Sequence, residues 1–466
     1  MSAPVHDPDA PGAGQEPSPR RPPSGPRSRR WAWRVGGAVL VAALGVAGWW
    51  LARRSDQGQG VFEGARALSA RQTEAVLHDP LGIDDPEGKA LARIFSRLRA
   101  LEEGETDRVA ILQLGASHTT GQYFADRVRE RLQQRFGSAG RGFVAAGEPE
   151  GDRPHTGVVR IREGEWTVSG AIHKEFGQRW GLSGIRAEAQ PGARITFDLC
   201  TDCEDAPIPA KLQIFTLHRP GDGKLEVQLD GRTVATLPRR RRSGEWVDVH
   251  TLSALGGRQR VSLRAMGPGP SVVLGAAHEL LTPGLIYDTA GLSGSTVWVP
   301  AGYQTAAFRE QLSARRPDLY ILFWGTNEAV SRQFQTEAYS KRYHDVLATL
   351  RRASPNADCL ILGPTDRLVP RESQWDPAPS QEVVIRTLRR VAREGGCAFW
   401  SPRAAMGGDG SMRAWQAHQP PWALPDGTHL TREGYRALAD MLVDDLIGAF
   451  ASSRLAQSGY GGTGGR

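Results

Sequence analysis

A chain of 466 residues exceeds one small module and, at roughly 100–200 residues per domain, implies two or three units. With 55 Gly and 31 Pro against 39% hydrophobic residues, part of it must be tail or linker and not core. A net charge of +7 does not mark a nucleic-acid module, because 58 Lys and Arg are spread along the chain among 51 acids; four cysteines exclude a disulfide-dense scaffold and a zinc ribbon.

Residues 1–34, rich in Pro, Ser, Gly and Arg, cannot bury enough apolar surface to order and are expected to form a disordered tail. Val35 to Ala52 carries no charge, long enough for a single membrane helix, with Trp31, Trp33, Trp49 and Trp50 where interfacial aromatics belong. The arginines before it outnumber Arg53 and Arg54 after it, which sets the N-terminus in the cytoplasm and the remainder outside. A cleaved signal peptide is the rival reading, disfavoured because bulky Trp49 and Trp50 occupy the place of small cleavage-site residues. Residues 53–87 then serve as a juxtamembrane stalk.

An amphipathic helix is expected from Gly88 to Leu101, followed by a buried strand over Val109 to Leu114 and a helix over Thr119 to Phe136. The same alternation returns with strands at Leu285 to Tyr287, Leu319 to Phe323, Cys359 to Leu362 and Ala398 to Trp400, each followed by helical spacing. Five strands with intervening helices imply an α/β protein with a doubly wound parallel sheet, divided into residues 88–150 and 284–451. Residues 151–283 differ: short β-like runs separated by Gly, Pro and Asp turns predict an inserted β-sandwich. Residues 452–466 read as a flexible tail.

Ser117 falls where the first strand hands over to its helix, the carboxyl edge at which open α/β sheets bind ligands. Its main-chain N–H opens a helix and favours the charge that develops when a hydroxyl attacks an acyl carbon. Capping the helix is the simpler role for the same serine. In the Pro425–Thr431 segment an acid precedes a histidine by three residues, so the Asp426 carboxylate can hold His429 Nδ1–H and leave Nε2 as a base for Ser117. Gly294 follows the second strand and Asn327 the third; with the Ser117 N–H they supply three donors for an oxyanion.

These four blocks in this order resemble the SGNH, or GDSL, hydrolase superfamily. More narrowly, GASHTTGQYFADRV, GSAGRGF, the β-rich insertion and MGGDGSMRAW at 406–415 resemble periplasmic peptidoglycan O-acetylesterases. The resemblance implies a flavodoxin-like three-layer fold with a five-stranded parallel sheet and a carbohydrate-binding-like insertion. It implies a serine esterase without metal or cofactor, using Ser117, Asp426 and His429, with an oxyanion hole from Ser117, Gly294 and Asn327. The expected partners are O-acetylated cell-wall glycan and, through one helix, the inner membrane, with the body in the periplasm and no nucleic acid bound. The same residues would serve a polysaccharide O-acetyltransferase, and a catalytically idle glycan-binding protein is the reading of another class. Two departures stand out, Ala116 where the family usually has an acid and Glu328 where it usually has Asp.

Cys200 and Cys203 are expected to form a local disulfide, while Cys359 and Cys397, at the starts of neighbouring strands, suit a disulfide or two buried thiols equally. His118 is expected to be structural. Trp415 fits either a sugar platform or the core.

Overall fold

The computed structural model describes residues 81–459 apart from 121–122, 152–154, 173–176, 204–205, 240–241, 304 and 373. The expected N-terminal tail, the membrane segment at 35–52, most of the stalk and residues 460–466 lie outside the described residues, whereas residues 452–459, expected to belong to a flexible tail, continue the last helix, Arg432–Gly459. Among the described residues no helix is long and apolar enough to cross a membrane.

Five strands, Arg108–Gly115, Gly284–Gly291, Leu319–Phe323, Asp358–Leu362 and Ala398–Trp400, form a parallel sheet. Taken in chain order, their spatial order is 2-1-3-4-5. The chain therefore reverses direction between the first and third strands, and a crevice opens there at their carboxyl ends. Nearly every strand residue is buried, as continuous apolar runs require when helices cover both faces. One face packs Ile94, Phe124, Val128, Leu438 and Leu442 from three helices. The other packs Phe308, Leu312, Tyr343, Leu347, Val384 and Leu388 from three more. A sixth strand, Ile83–Asp84, pairs antiparallel with Phe399 and Trp400, so these two residues, expected in the stalk, belong to the sheet. Two residues carry no readable period, which is why no pattern in the chain marks the strand.

The insertion forms two antiparallel sheets of five strands each, and Gly142–Ala145, before the expected boundary at residue 151, adds a sixth strand to the second. Ile195, Phe197, Val227 and Leu263 from one meet Leu212, Ile214 and Val273 from the other in a shared core, a sandwich. The strand Ser271–Leu280 is buried throughout and pairs on both sides, so its burial shows no alternation from which sequence could read it as a half-exposed strand. The outer face of the second sheet is not free: Phe215, Leu217, Val272 and Leu274 share a core with Phe308 and Leu312 of the helical layer on the parallel sheet.

Charge reinforces that junction. Arg315, fully buried, donates from Nε to Asp288 Oδ2 at 2.8 Å and from Nη2 to Asp288 Oδ1 at 3.0 Å, and pairs with Glu279 of the insertion at 2.9 Å. Burial acts to raise the Glu279 carboxyl, but the guanidiniums of Arg315 and Arg108 and the Lys211 ammonium outweigh it and hold it at about 2. Both disulfides are formed, Cys200–Cys203 in the insertion and Cys359–Cys397 between adjacent strands, with Cα separations of 5.1 and 4.8 Å.

Candidate active site

The Arg108–Gly115 strand delivers Ser117 to the crevice at the head of the short Ser117–Thr120 helix. Gly115 permits this approach, since a Cβ there would lie 2.7 Å from Phe323 O of the third strand. Far along the chain, Asp426 builds the turn that presents the histidine: its Oδ1 accepts from the N–H groups of Thr428 and His429, both at 2.9 Å. Its other oxygen, Oδ2, lies 2.7 Å from His429 Nδ1, and His429 Nε2 lies 2.9 Å from Ser117 Oγ. A carboxylate accepts the Nδ1 proton, so this contact selects the tautomer whose Nε2 lone pair faces the serine hydroxyl. Burial acts to raise the Asp426 carboxyl, but the backbone and side-chain hydrogen bonds from His429, with that from Thr428, hold it below its ordinary value. It stays ionised beside the imidazole.

The two remaining blocks come to the same edge. Gly294 adopts φ +73°, which favours glycine, in the loop after the second strand. Asn327 follows the third strand, and its Nδ2 donates to Ser295 O at 2.8 Å, joining the asparagine loop to the glycine loop. Glu328 joins them again, accepting from Val297 N at 2.9 Å and Gly325 N at 3.0 Å. Burial outweighs these bonds and raises its carboxyl to about 7. The departure from Asp noted in the sequence therefore lies in the brace between two loops and not among groups that could carry a proton to substrate.

One charged side chain escaped the sequence reading. Arg367 Nη1 donates to Thr326 O at 2.7 Å and to Asn327 Oδ1 at 3.1 Å. Asn327 is thus gripped at both ends of its amide, and the guanidinium faces the field of Asp426 and Glu328. No motif marked it, because Arg367 lies 40 residues from Asn327 and only the adjacency of the third and fourth strands brings the two together.

His118 does not join the chemistry. Its Nδ1 lies 2.8 Å from the Tyr435 hydroxyl, its Nε2 lies 3.3 Å from Thr365 Oγ1, and the ring stacks on Phe323. Burial, then the nearby His429 and Arg367, push its pKa down to about 3, so it stays neutral. Trp415 is core: it is 6% exposed and its Nε1 donates to Met406 O at 3.1 Å. The insertion also reaches the site. Gly170, Ile172 and Ile185 line a pocket of about 130 Å³ together with Thr120, Leu292 and Ser293, next to the glycine of the proposed oxyanion hole.

Residues 265–437 match the GDSL-like Lipase/Acylhydrolase family. The match includes Gly294, Asn327, Asp426 and His429 and leaves out Ser117, which the insertion separates from them. A solved structure described as "Peptidoglycan O-acetylesterase in action, 5 min" superposes with a TM-score of 0.66 at 26% identity, covering 77% of this chain and 96% of that one. An acetyl xylan esterase structure, AlAXEase, gives a TM-score of 0.26 at 18% identity, covering 34% of this chain and 78% of that one. A carbohydrate esterase family 2 enzyme with a carbohydrate binding domain, from Corynascus thermopiles (Myceliophthora fergusii), gives 0.28 at 12%, covering 62% and 100%. These two overlaps are too low to bear on function. No curated protein sequence matches the chain.

Proposed function

We propose, from the premise that this chain carries a GDSL-like lipase/acylhydrolase domain and is an SGNH-type esterase, that it removes O-acetyl groups from cell-wall glycan through an acetyl-enzyme. The observation that carries the reading is the bridge made by His429, 2.9 Å from Ser117 Oγ on one side and 2.7 Å from Asp426 on the other. The choice of an acetylated glycan as substrate leans on the likeness to the peptidoglycan O-acetylesterase.

Ser117 Oγ attacks the acetyl carbonyl while His429 Nε2 takes its proton, and Asp426 stabilises the imidazolium that forms. The carbonyl oxygen, now charged, is met by the N–H groups of Ser117 and Gly294 and by Asn327 Nδ2. The tetrahedral intermediate collapses, the sugar oxygen leaves with the proton from His429, and Ser117 is left acetylated. Water, deprotonated by His429, then attacks the acetyl carbon and releases acetate. The proposal includes a single span at Val35 to Ala52 that holds the body in the periplasm, where an oxidising milieu sustains the two disulfides.

The test is incubation of the protein with O-acetylated and bare glycan fragments, read by mass spectrometry. Free acetate that disappears in Ser117→Ala is the expected result. Acetyl groups appearing on the bare fragments would replace hydrolysis by transfer, and no reaction with either would overturn the reading.

A further inference from the structure

Directly after Arg367 the chain forms a two-stranded hairpin, Leu368–Arg371 paired with Gln374–Pro377, that belongs to neither the central sheet nor the insertion. Its position is fixed at the base, where Leu368 N donates to Gly427 O and Ala378 N to Arg367 O, both at 2.8 Å. It is also fixed along the second strand, where Arg413 hydrogen-bonds the Trp375 carbonyl. This places the Trp375 indole against the turn that carries Asp426 and His429: a Cβ on Gly427 would lie 3.0 Å from both Cε3 and Cζ3 of the ring. Gly427 has φ +66°, so glycine here both shapes the turn and makes room for the indole.

Trp375 is 37% exposed, and it is the one tryptophan among the large apolar residues left exposed in the described residues. A tryptophan ordinarily buries about 150–250 Å², so leaving more than a third of it exposed beside a catalytic turn forgoes part of the stabilisation that the same residue would provide in a core. Its surroundings are polar and not greasy. Exposed Gln374 precedes it, and the Arg371–Asp376 ion pair at 3.3 Å lies on the same hairpin. A pyranose ring has this mixed character, with C–H groups on its faces that stack on an aromatic ring and hydroxyls at its edge that need donors and acceptors. An acyl chain has no use for the polar rim.

We propose that Trp375 is a sugar-stacking platform that seats a pyranose of the glycan beside the catalytic turn. The proposal rests on the glycan-esterase reading above, and it moves the platform from Trp415, which is buried, to a residue the sequence did not single out.

The test compares the whole protein with its Trp375→Ala and Trp375→Tyr variants on two substrates, O-acetylated glycan fragments and an aryl acetate that has no sugar. Trp375→Ala is expected to lower the ratio of glycan to aryl-acetate kcat/KM by about tenfold or more, chiefly through KM for the glycan, with Tyr restoring most of it. Equal losses on both substrates, or an unchanged ratio, would overturn the platform while leaving the esterase reading intact. A parent enzyme that cleaves aryl acetate and no acetylated glycan would overturn both.

Discussion

His429 can deprotonate Ser117 only in the tautomer that Asp426 selects, and the same carboxylate holds the turn in which both residues sit. Residues coupled in this way act as a unit. Ser117→Ala and His429→Ala are each expected to lower kcat by about 10⁴-fold or more, and the double variant by scarcely more than either; multiplying losses in single-turnover kinetics would show that they act independently. Asn327 depends in turn on Arg367, which grips the carbonyl end of its amide. Arg367→Met is expected to lower kcat about 10- to 100-fold with little change in KM, because a freed amide misplaces a donor needed chiefly when the substrate oxygen becomes charged. Lys has no planar fork and should restore only part of the rate. A change confined to KM would make Arg367 a substrate contact instead.

At the scale of elements, the insertion is built into the hydrolase and is not hung from it. The outer face of its second sheet completes the core around Phe308 and Leu312, and its Glu279 is a partner of the fully buried Arg315. The insertion also lines the edge of the site, since Gly170, Ile172 and Ile185 reach the pocket beside Ser293. Glu279→Ala is expected to cost about 3–5 kcal/mol, because it leaves cations of Arg315, Arg108 and Lys211 facing an emptied site; denaturant unfolding measures it. A cost below about 1 kcal/mol would mean that Asp288 alone suffices for Arg315. Excision of the whole insertion should for the same reason give unfolded protein and not a minimal esterase.

For the whole molecule, two buried carboxyls tie stability to pH with opposite sign. Glu279 is held at about 2, below its ordinary 4.5, so the stability it contributes is present above 4.5 and is lost as pH falls towards 2. Glu328 is raised to about 7, so the native state prefers its protonated form, and stability declines as pH rises from 4.5 to 7. Unfolding free energies measured from acid to neutral pH are expected to rise more between pH 4.5 and 7 in Glu328→Gln than in the parent. A parent and variant with parallel profiles between pH 4.5 and 7 would show that Glu328 is ionised throughout. His118, whose pKa falls from 6.5 to about 3 on folding, adds a rise in stability between pH 3 and 6.5 that parent and variant share, so the Glu328 contribution is read from their difference.

Sequence alone determined the parts whose physics is local. Continuous apolar runs fixed the parallel strands, a serine after a strand and an acid three residues before a histidine fixed the catalytic candidates, and turn-punctuated short runs separated the insertion from the sheet. Each of these is a pattern within a few residues of chain. Tertiary structure decided what depends on groups distant in sequence: that Arg367 holds Asn327, that Arg315 joins Glu279 to Asp288, that Ile83–Asp84 closes the sheet edge, and that Trp375 and not Trp415 faces water near the site. It also decided the pairing of Cys359 with Cys397, left even by sequence. Burial separates the two classes: whether a tryptophan is core or platform, and whether a carboxyl sits at about 2 or about 7, depends on what packs around it, and the strand order 2-1-3-4-5 that sets those neighbours is written in no single segment of the chain.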